Sequence, residues 1–540
     1  ADKDSSNNKS YIEYKGTMNL GEGATGFYVN GKTELDTKAA TTTINLAGGV
    51  VAYVTESSEF IGGKSVVNLS KSGIGVYGEK GAKVDVGSWK FNNNGNAAEE
   101  VRLKEGQAKV DTDKTLNPKM VLTHVINGET YIVNNKTVTS VHDGKYKSEE
   151  NIGLMAQGLK NPAHPTGITA WYDANYEIVN SGTINFTLAK DSTAIFAESA
   201  RAKNNGVIKL GQSSTGIYGV YKDNTSKYAT GKPNKLEIET TANSDINLGK
   251  NSTGMYLVNA QKLTSAAGGK IESATGSTNN VGIYTINGKV DVKGTTTEKA
   301  EASAYNSNSA NFNILNMDNK ANITLGDGSV GIFTRGKGTA ITDRNIVKND
   351  GNITVGDTSA GAPAVGIYAE NAKVTTDGDK IIMQGDGSSN KPIGIYAVSD
   401  NTLSSLKEIT VNQGAGAMLV NGKQAIGVYL EDGSTTNDQL KLINDSDITL
   451  TDSAAQADKR IGIVLKKVRN TDNVTNRKIV VGKNNIGIYN ENSILTHKGT
   501  LDVKHDEDGT QNIGIHNFAN GDSFEFNVVK SASDPGLVDV

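Results

Sequence analysis

A short phrase recurs along most of this chain: a small or polar stretch, an apolar residue, then Gly-Ile-Tyr or a near copy. It reads Gly216-Ile217-Tyr218, Gly254-Met255-Tyr256, Gly282-Ile283-Tyr284, Gly331-Ile332-Phe333, Gly366-Ile367-Tyr368, Gly394-Ile395-Tyr396, Gly427-Val428-Tyr429, Gly487-Ile488-Tyr489 and Gly514-Ile515-His516. Self-similarity of this kind is the mark of stacked repeats, and it restricts the fold more than any other property of the chain.

Gly254 and Gly282 lie 28 residues apart, as do Gly366 and Gly394, whereas Gly394 and Gly427 are separated by 33 and Gly487 and Gly514 by 27. A fixed core with loops of variable length accounts for that spread. Ahead of the glycine comes a second element with alternating apolar residues: Ile208-Lys-Leu210, Ile246-Asn-Leu248, Ile323-Thr-Leu325, Ile353-Thr-Val355, Ile448-Thr-Leu450 and Ile479-Val-Val481. Period-two alternation puts Ile and Leu on one face, as a half-buried strand requires. A third short strand often follows, as in Val290-Asp-Val292 and Lys373-Val374-Thr. Three short strands joined by Gly/Asn/Asp/Ser corners make one coil, so the predicted class is all-β, a parallel β-helix (β-solenoid) with loop or subdomain excursions.

The repeated glycines have two physical explanations. A corner can need backbone angles that a Cβ obstructs, or the wall beside the Ile-Tyr strand can pass close to the next coil. Like residues stacked at about 4.8 Å form ladders up the axis, Ile on Ile inside and Asn or Ser at the corners, with Asn251, Asn280 and Asn485 as candidates. Helices are a poor alternative, because the 61 glycines would each cost a helix interior about 1 kcal/mol.

A globular chain of 540 residues would be several domains, but a solenoid grows in length without thickening its core. One elongated rod of about sixteen to eighteen coils, roughly 80 Å long, is therefore expected. Hydrophobic residues at 36% suit a thin core. The absence of cysteine excludes disulfides, thiolate metal sites and a cysteine nucleophile. A net charge of −4 on 55 basic and 59 acidic residues leaves no strong field, so nucleic acid is not an expected partner. No run of 18 apolar residues is present to span a membrane as a helix. The beginning, Ala1-Asp-Lys-Asp, and the end at Asp534-Pro535-Gly536 read as those of a mature or excised piece of something longer.

Coils are expected over 1–87, where Gly26-Phe27-Tyr28 and Gly75-Val76-Tyr77 keep the pattern, and again over 178–527 as the same rod, with 528–540 a truncated end or linker. Between them the pattern lapses, and 88–177 reads as an irregular excursion or inserted subdomain, the alternative being irregular coils of the same rod whose register the motif does not mark. This interval holds the charged run Glu99-Glu100-Val101-Arg102-Leu103 and an aromatic cluster of Trp171, Tyr172 and Tyr176 with His164 nearby. Exposed Trp and Tyr can stack on sugar rings or anchor a protein interface, so these four are the candidate binding residues; the bland alternative is a Trp plugging the core under a long loop.

Other motifs carry less. Gly331-Ile-Phe-Thr-Arg-Gly336-Lys337-Gly338 lacks the Ser or Thr that closes a phosphate loop. Gly521-Asp522-Ser523 is like a serine-protease nucleophile turn, but Phe524 follows where Gly is needed. His497 and His505 have no metal-ligand spacing, and turn chemistry explains Asp327, Asp386 and Asp432 beside Gly. No catalytic residue, metal or cofactor is expected.

With its Ile-x-Leu and Gly-Ile-Tyr register laid out, the chain resembles the passenger of large type V (type Va) autotransporter adhesins, particularly the fusobacterial kind, over roughly 10–80 and 180–525. The resemblance implies export through an outer-membrane barrel outside this chain and display on the bacterial cell surface. It also implies a monomeric rod that adheres to host-cell receptors, surface glycans or partner bacteria. The competing readings are a spacer that lifts a distal binding tip and, more remotely, a β-helical polysaccharide-active enzyme, which would need acids clustered on one wall. Asp291 and Asp447 stand isolated instead.

Overall fold

In the computed structural model the chain divides into two compact units, Ala1–Leu257 and Val258–Val540. The structure describes residues 10–30, 33–36, 42–61, 63, 65–93, 95–104, 106–126, 130–141, 149–157, 176–221 and 236–257 of the first, and 258–287, 314–336, 344–357, 364–383, 392–399, 407–412, 416–432, 440–454, 458–468, 474–504, 511–519, 526–528 and 538–539 of the second. Each unit is a parallel β-helix with three walls.

One coil of the first unit shows the plan. Val207–Leu210 lies on the first wall, Thr215–Val220 on the second and Glu237–Thr240 on the third, and Asp245–Leu248 then opens the next coil on the first wall. The Ile-x-Leu residues stack in register, Ile184 on Ile208 and Ile208 on Ile246, with Phe186 on Leu210. In the second unit Ile271, Ile323, Ile353 and Ile381 do the same. These side chains are at most 1% exposed except Leu210 at 3%, so the alternating residues build the core as expected.

On the second wall of the second unit, Ile283, Ile332, Ile367, Ile395, Val428, Ile463 and Ile488 form one column, each paired with the next. All seven are fully buried. The residue before each is the motif glycine, and it too points inward. A Cβ on Gly331 would lie 2.5 Å from the carbonyl oxygen of Gly366, one on Gly366 2.5 Å from that of Gly394, and one on Gly394 2.6 Å from that of Gly427. Gly282, Gly427 and Gly487 meet the next coil's backbone oxygen at 2.6 Å, Gly216 meets that of Gly254 at 2.5 Å, and Gly514 crowds Leu501 and Val503. Close approach between coils, and no special dihedral, is thus what demands glycine here. The left-handed corner angles fall on other residues: Ser199, Asn371 and Asn492, with φ of 47°, 51° and 50°, turn the chain from the second wall to the third. Asn251, expected to form a ladder, takes φ 56° at the corner before the second wall.

Buried asparagines do ladder, where the third wall turns into the first. Asn134 donates to Asn180 at 2.8 Å, Asn180 to Asn204 at 2.7 Å, and Asn204 to the Ser244 hydroxyl at 2.6 Å. In the second unit Asn319 donates to Asn349 at 2.8 Å. Asn280 and Asn485 are buried at the corner before the second wall, bonded to Ser273 and to Ser453 and Thr451. Such a chain satisfies polar groups that would otherwise be costly inside the core.

The expected excursion over 88–177 is corrected for most of its length. Lys90–Asn93, Lys114–Leu116 and Thr137–Ser140 continue the first wall, Ala98–Leu103, Met120–Ile126 and Ile152–Gln157 the second, and Gly106–Val110 and Thr130–Asn134 the third. Their register is unbroken: Val76 pairs with Val101, Val101 with Thr123, Thr123 with Leu154 and Leu154 with Ile195. The motif was hidden because Glu100-Val101-Arg102 and Leu122-Thr123-His124 stand where other coils carry Gly-Ile-Tyr. What remains of the excursion, 158–175, lies outside the described residues.

The corners differ in what they admit. Between the second and third walls, only Ser199 and Ala200 join Thr193–Glu198 to Arg201–Asn204, and only Asn371 joins Val365–Glu370 to Ala372–Asp377. At the corresponding corner of other coils the strands are further apart in sequence: Ile152–Gln157 is followed by Ile178–Asn180, Thr215–Val220 by Glu237–Thr240, and Val281–Ile286 by Asn316–Asn319.

Candidate functional site

Trp171, Tyr172 and His164 lie outside the described residues. Tyr176, the fourth candidate, re-enters the structure at the second-to-third-wall corner, half-buried. Its hydroxyl donates to Glu239, and the Lys203 ammonium sits 5.1 Å from its ring centroid. Lys203 in turn pairs with Glu239 at 3.2 Å. The ring is therefore tied to third-wall strands and holds a cation on its face.

The Tyr of Gly-Ile-Tyr, read from sequence as part of a structural repeat, points outward on the second wall. In the first unit the column runs Tyr28, Tyr53, Tyr77, Arg102, His124, Met155, Phe196, Tyr218. In the second it runs Tyr284, Phe333, Tyr368, Tyr396, Tyr429, Val464, Tyr489, His516. Several aromatic members stack along the column, Tyr28 on Tyr53 at 5.5 Å, Phe196 on Tyr218 at 5.2 Å with planes 7° apart, and Tyr284 on Phe333 at 4.6 Å with planes 11° apart, whereas Tyr396 meets Tyr368 and Tyr429 edge to face. The alternation that buries Ile one residue earlier is the signal that would have shown this face to be outward.

Two polar features interrupt the first unit. On the outer wall, Arg102 forks onto Glu99 at 2.5 and 2.6 Å, and His124 lies 3.2 Å from Glu99 and 2.9 Å from Gln157, whose amide donates to Glu198. Burial pushes the Glu99 carboxyl up, but the hydrogen bonds and charges of His124 and Arg102 more than offset that and hold it below the usual carboxylate range. Inside the coil, Glu100 occupies the motif glycine's position and pairs with Lys114, both side chains being 2% exposed or less. Lys114 stands where Val138 and Ile184 continue the first-wall core column, and it also donates to the carbonyls of Gly87 and Trp89. Burial raises Glu100 to about 7 against the pull of Lys114.

A recess of about 370 Å³ lies at the turn from third to first wall, with Asp113, Lys136, Ser181, Thr183, Asn205 and Asn243 in its lining. Gly331 belongs to the strand Val330–Arg335 and is buried by coil packing. His497 is 2% exposed and burial lowers its pKa, and Asp432 is buried. His505, Asp386 and the segment 521–523 lie outside the described residues. Among the described residues, no group of three or more His, Cys, Asp or Glu could hold a metal ion, and no helix is long and apolar enough to cross a membrane.

Comparison of the chain with protein-family models, with curated proteins and with solved structures returned no match.

Proposed function

We propose that this chain is an extracellular binding scaffold, a passenger segment of an autotransporter adhesin, whose contact segments spring from the corner between the second and third walls. The observation that carries the reading is the placement of the three longest sequence separations between consecutive described strands, all of them between a second-wall and a third-wall strand. Each of 158–175, 222–235 and 288–313 leaves a second-wall strand and rejoins a third-wall strand. The walls are committed to stacking, and insertions gathered at one corner of a solenoid are where such scaffolds carry recognition. The interval 158–175 holds Trp171 and Tyr172 in its sequence, and Tyr176, which follows it, is tied to the Lys203–Glu239 pair. The partner class is a host-cell receptor, a surface glycan or another bacterium, at the cell surface.

One observation favours the spacer reading. Outward rings such as Tyr284, Phe333 and Tyr368 stack on one another, so those faces, the part that sugars use, are occupied. The experiment separates the two. Residues 158–175 are replaced by a Ser-Ala link of the kind that joins Glu198 to Arg201, and adhesion to host cells and a glycan array is measured against the intact chain. Loss of adhesion by a protein with unchanged melting supports the scaffold reading. Undiminished adhesion transfers the role to another segment and leaves these coils as spacer.

A further inference from the structure

We propose that the outer face of the second unit's second wall binds elongated, planar aromatic molecules lying along the column Tyr284–Phe333–Tyr368. The three rings stack at 4.6 and 4.8 Å with planes 11° and 4° apart. Ring faces therefore point up and down the column, and each ring turns an edge to solvent. Val281 and Val330 form a second, half-buried column beside the first and in register with it, and that column ends at Val365, which is 2% exposed. The two residues between the columns in each strand, Gly282 and Ile283 in the first rung, both point inward. The outer face is thus an aromatic ridge over three rungs, with a shorter valine ridge beside its first two.

The quadrupole decides what fits. An aromatic ring is negative on its faces and positive at its edge, so a row of edges attracts the face of another π-system. A saccharide offers C–H groups that suit ring faces, and here those are stacked away. Val281 and Val330 add apolar area beside a ligand long enough to cross three rungs of the aromatic column, about 10 Å or more. The first unit supplies two comparisons: Phe196 and Tyr218 stack at 5.2 Å beside Thr193 and Thr215, and Tyr28, Tyr53 and Tyr77 stack at 5.5 and 5.3 Å with planes 13° and 26° apart beside Thr25, Val50 and Ile74. The closer and more parallel three-ring stack, and with it the tighter site, is on the second unit.

The probe is thioflavin T, a rod-shaped benzothiazole, titrated against the full chain by fluorescence. Phe333→Val breaks the column at its centre with a residue the fold already accepts there, since Val464 occupies the same column between Tyr429 and Tyr489. Phe333→Met is the second variant, Met155 holding that place in the first unit. Each should weaken the tightest binding phase by about tenfold while melting moves little. Tyr218→Val should leave that phase unchanged, and a soluble β-1,4-glucan hexamer should not displace the dye. Absence of saturable binding by the folded wild type would overturn the proposal. So would a Phe333→Val or Phe333→Met protein that is folded and binds as tightly, an equal loss in Tyr218→Val, or displacement by the glucan.

Discussion

Ile395→Asp should destabilise the second unit by on the order of 5 kcal/mol. Ile395 is fully buried, with Ile367 in register on one side and Val428 on the other. The substitution removes its packing and leaves a carboxylate in a dry core, where an unpaired charge finds no compensation. Ile395→Val should cost only about 1 kcal/mol, because one methylene is lost and Val428 shows the column accepts it. Urea denaturation followed by circular dichroism measures both. A midpoint for Ile395→Asp equal to wild type would contradict the burial of this column. Hydrogen exchange should show the damage centred on the strands Val365–Glu370, Ile393–Ser399 and Ile426–Asp432, since a solenoid coil supports only its neighbours.

The second large effect is expected from the buried pair of the first unit. In other coils a second-wall glycine packs on a first-wall Ile of the next coil, as Gly216 does on Ile246. Glu100 and Lys114 replace that contact with an ion pair. Lys114→Ala should cost about 3–5 kcal/mol above pH 7, where Glu100 must either stay charged without a partner or take up a proton, and less below pH 5, where the carboxyl is already protonated. Glu100→Gly combined with Lys114→Ile restores the repeat and should be at least as stable as wild type, because well-packed apolar groups commonly equal a buried pair. The pH dependence has a definite sign. Glu100's folded-state pKa of about 7 lies above its usual 4.5. The protonated form therefore contributes stability that is full below pH 4.5 and is lost as pH rises through 7, on the order of 3 kcal/mol in all. Glu100→Gln should flatten that part of the stability profile. A Glu100→Gln protein with the wild-type slope between pH 4.5 and 7 would place the titration on another group.

Much of this fold was readable because its signals are local. Ile208-Lys-Leu210 or Gly394-Ile395-Tyr396 states period, burial and register within three residues. The coils of 88–157 escaped because their equivalents, Glu100-Val101-Arg102 and Leu122-Thr123-His124, keep the alternation while changing the residues that mark it. Lys114 in a core position is intelligible only beside Glu100, and that contact is a tertiary fact. The glycines posed a different problem. Corner angle and close approach predict the same residue, and only the 2.5 Å from a Gly331 Cβ to the Gly366 carbonyl oxygen decides between them. The outward column was legible in principle from Ile inside and Tyr outside. The parallel stacking that turns its edges to solvent was not, because ring orientation depends on the coils above and below.

The ladders also set how the chain finds its structure. Asn19, Asn45, Asn68 and Asn92 are joined by side-chain bonds across sequence separations of 26, 23 and 24 residues, and Asn319 reaches Asn349 across 30. Each contact spans one turn of chain and no more, so the mean loop to be closed stays constant however many coils follow. Folding rate depends on that separation, and a sheet built this way escapes the slow search that distant strand pairing imposes on most β-proteins. The search is confined to a first nucleus, after which each new coil adds to a finished template, and assembly time grows in simple proportion to chain length.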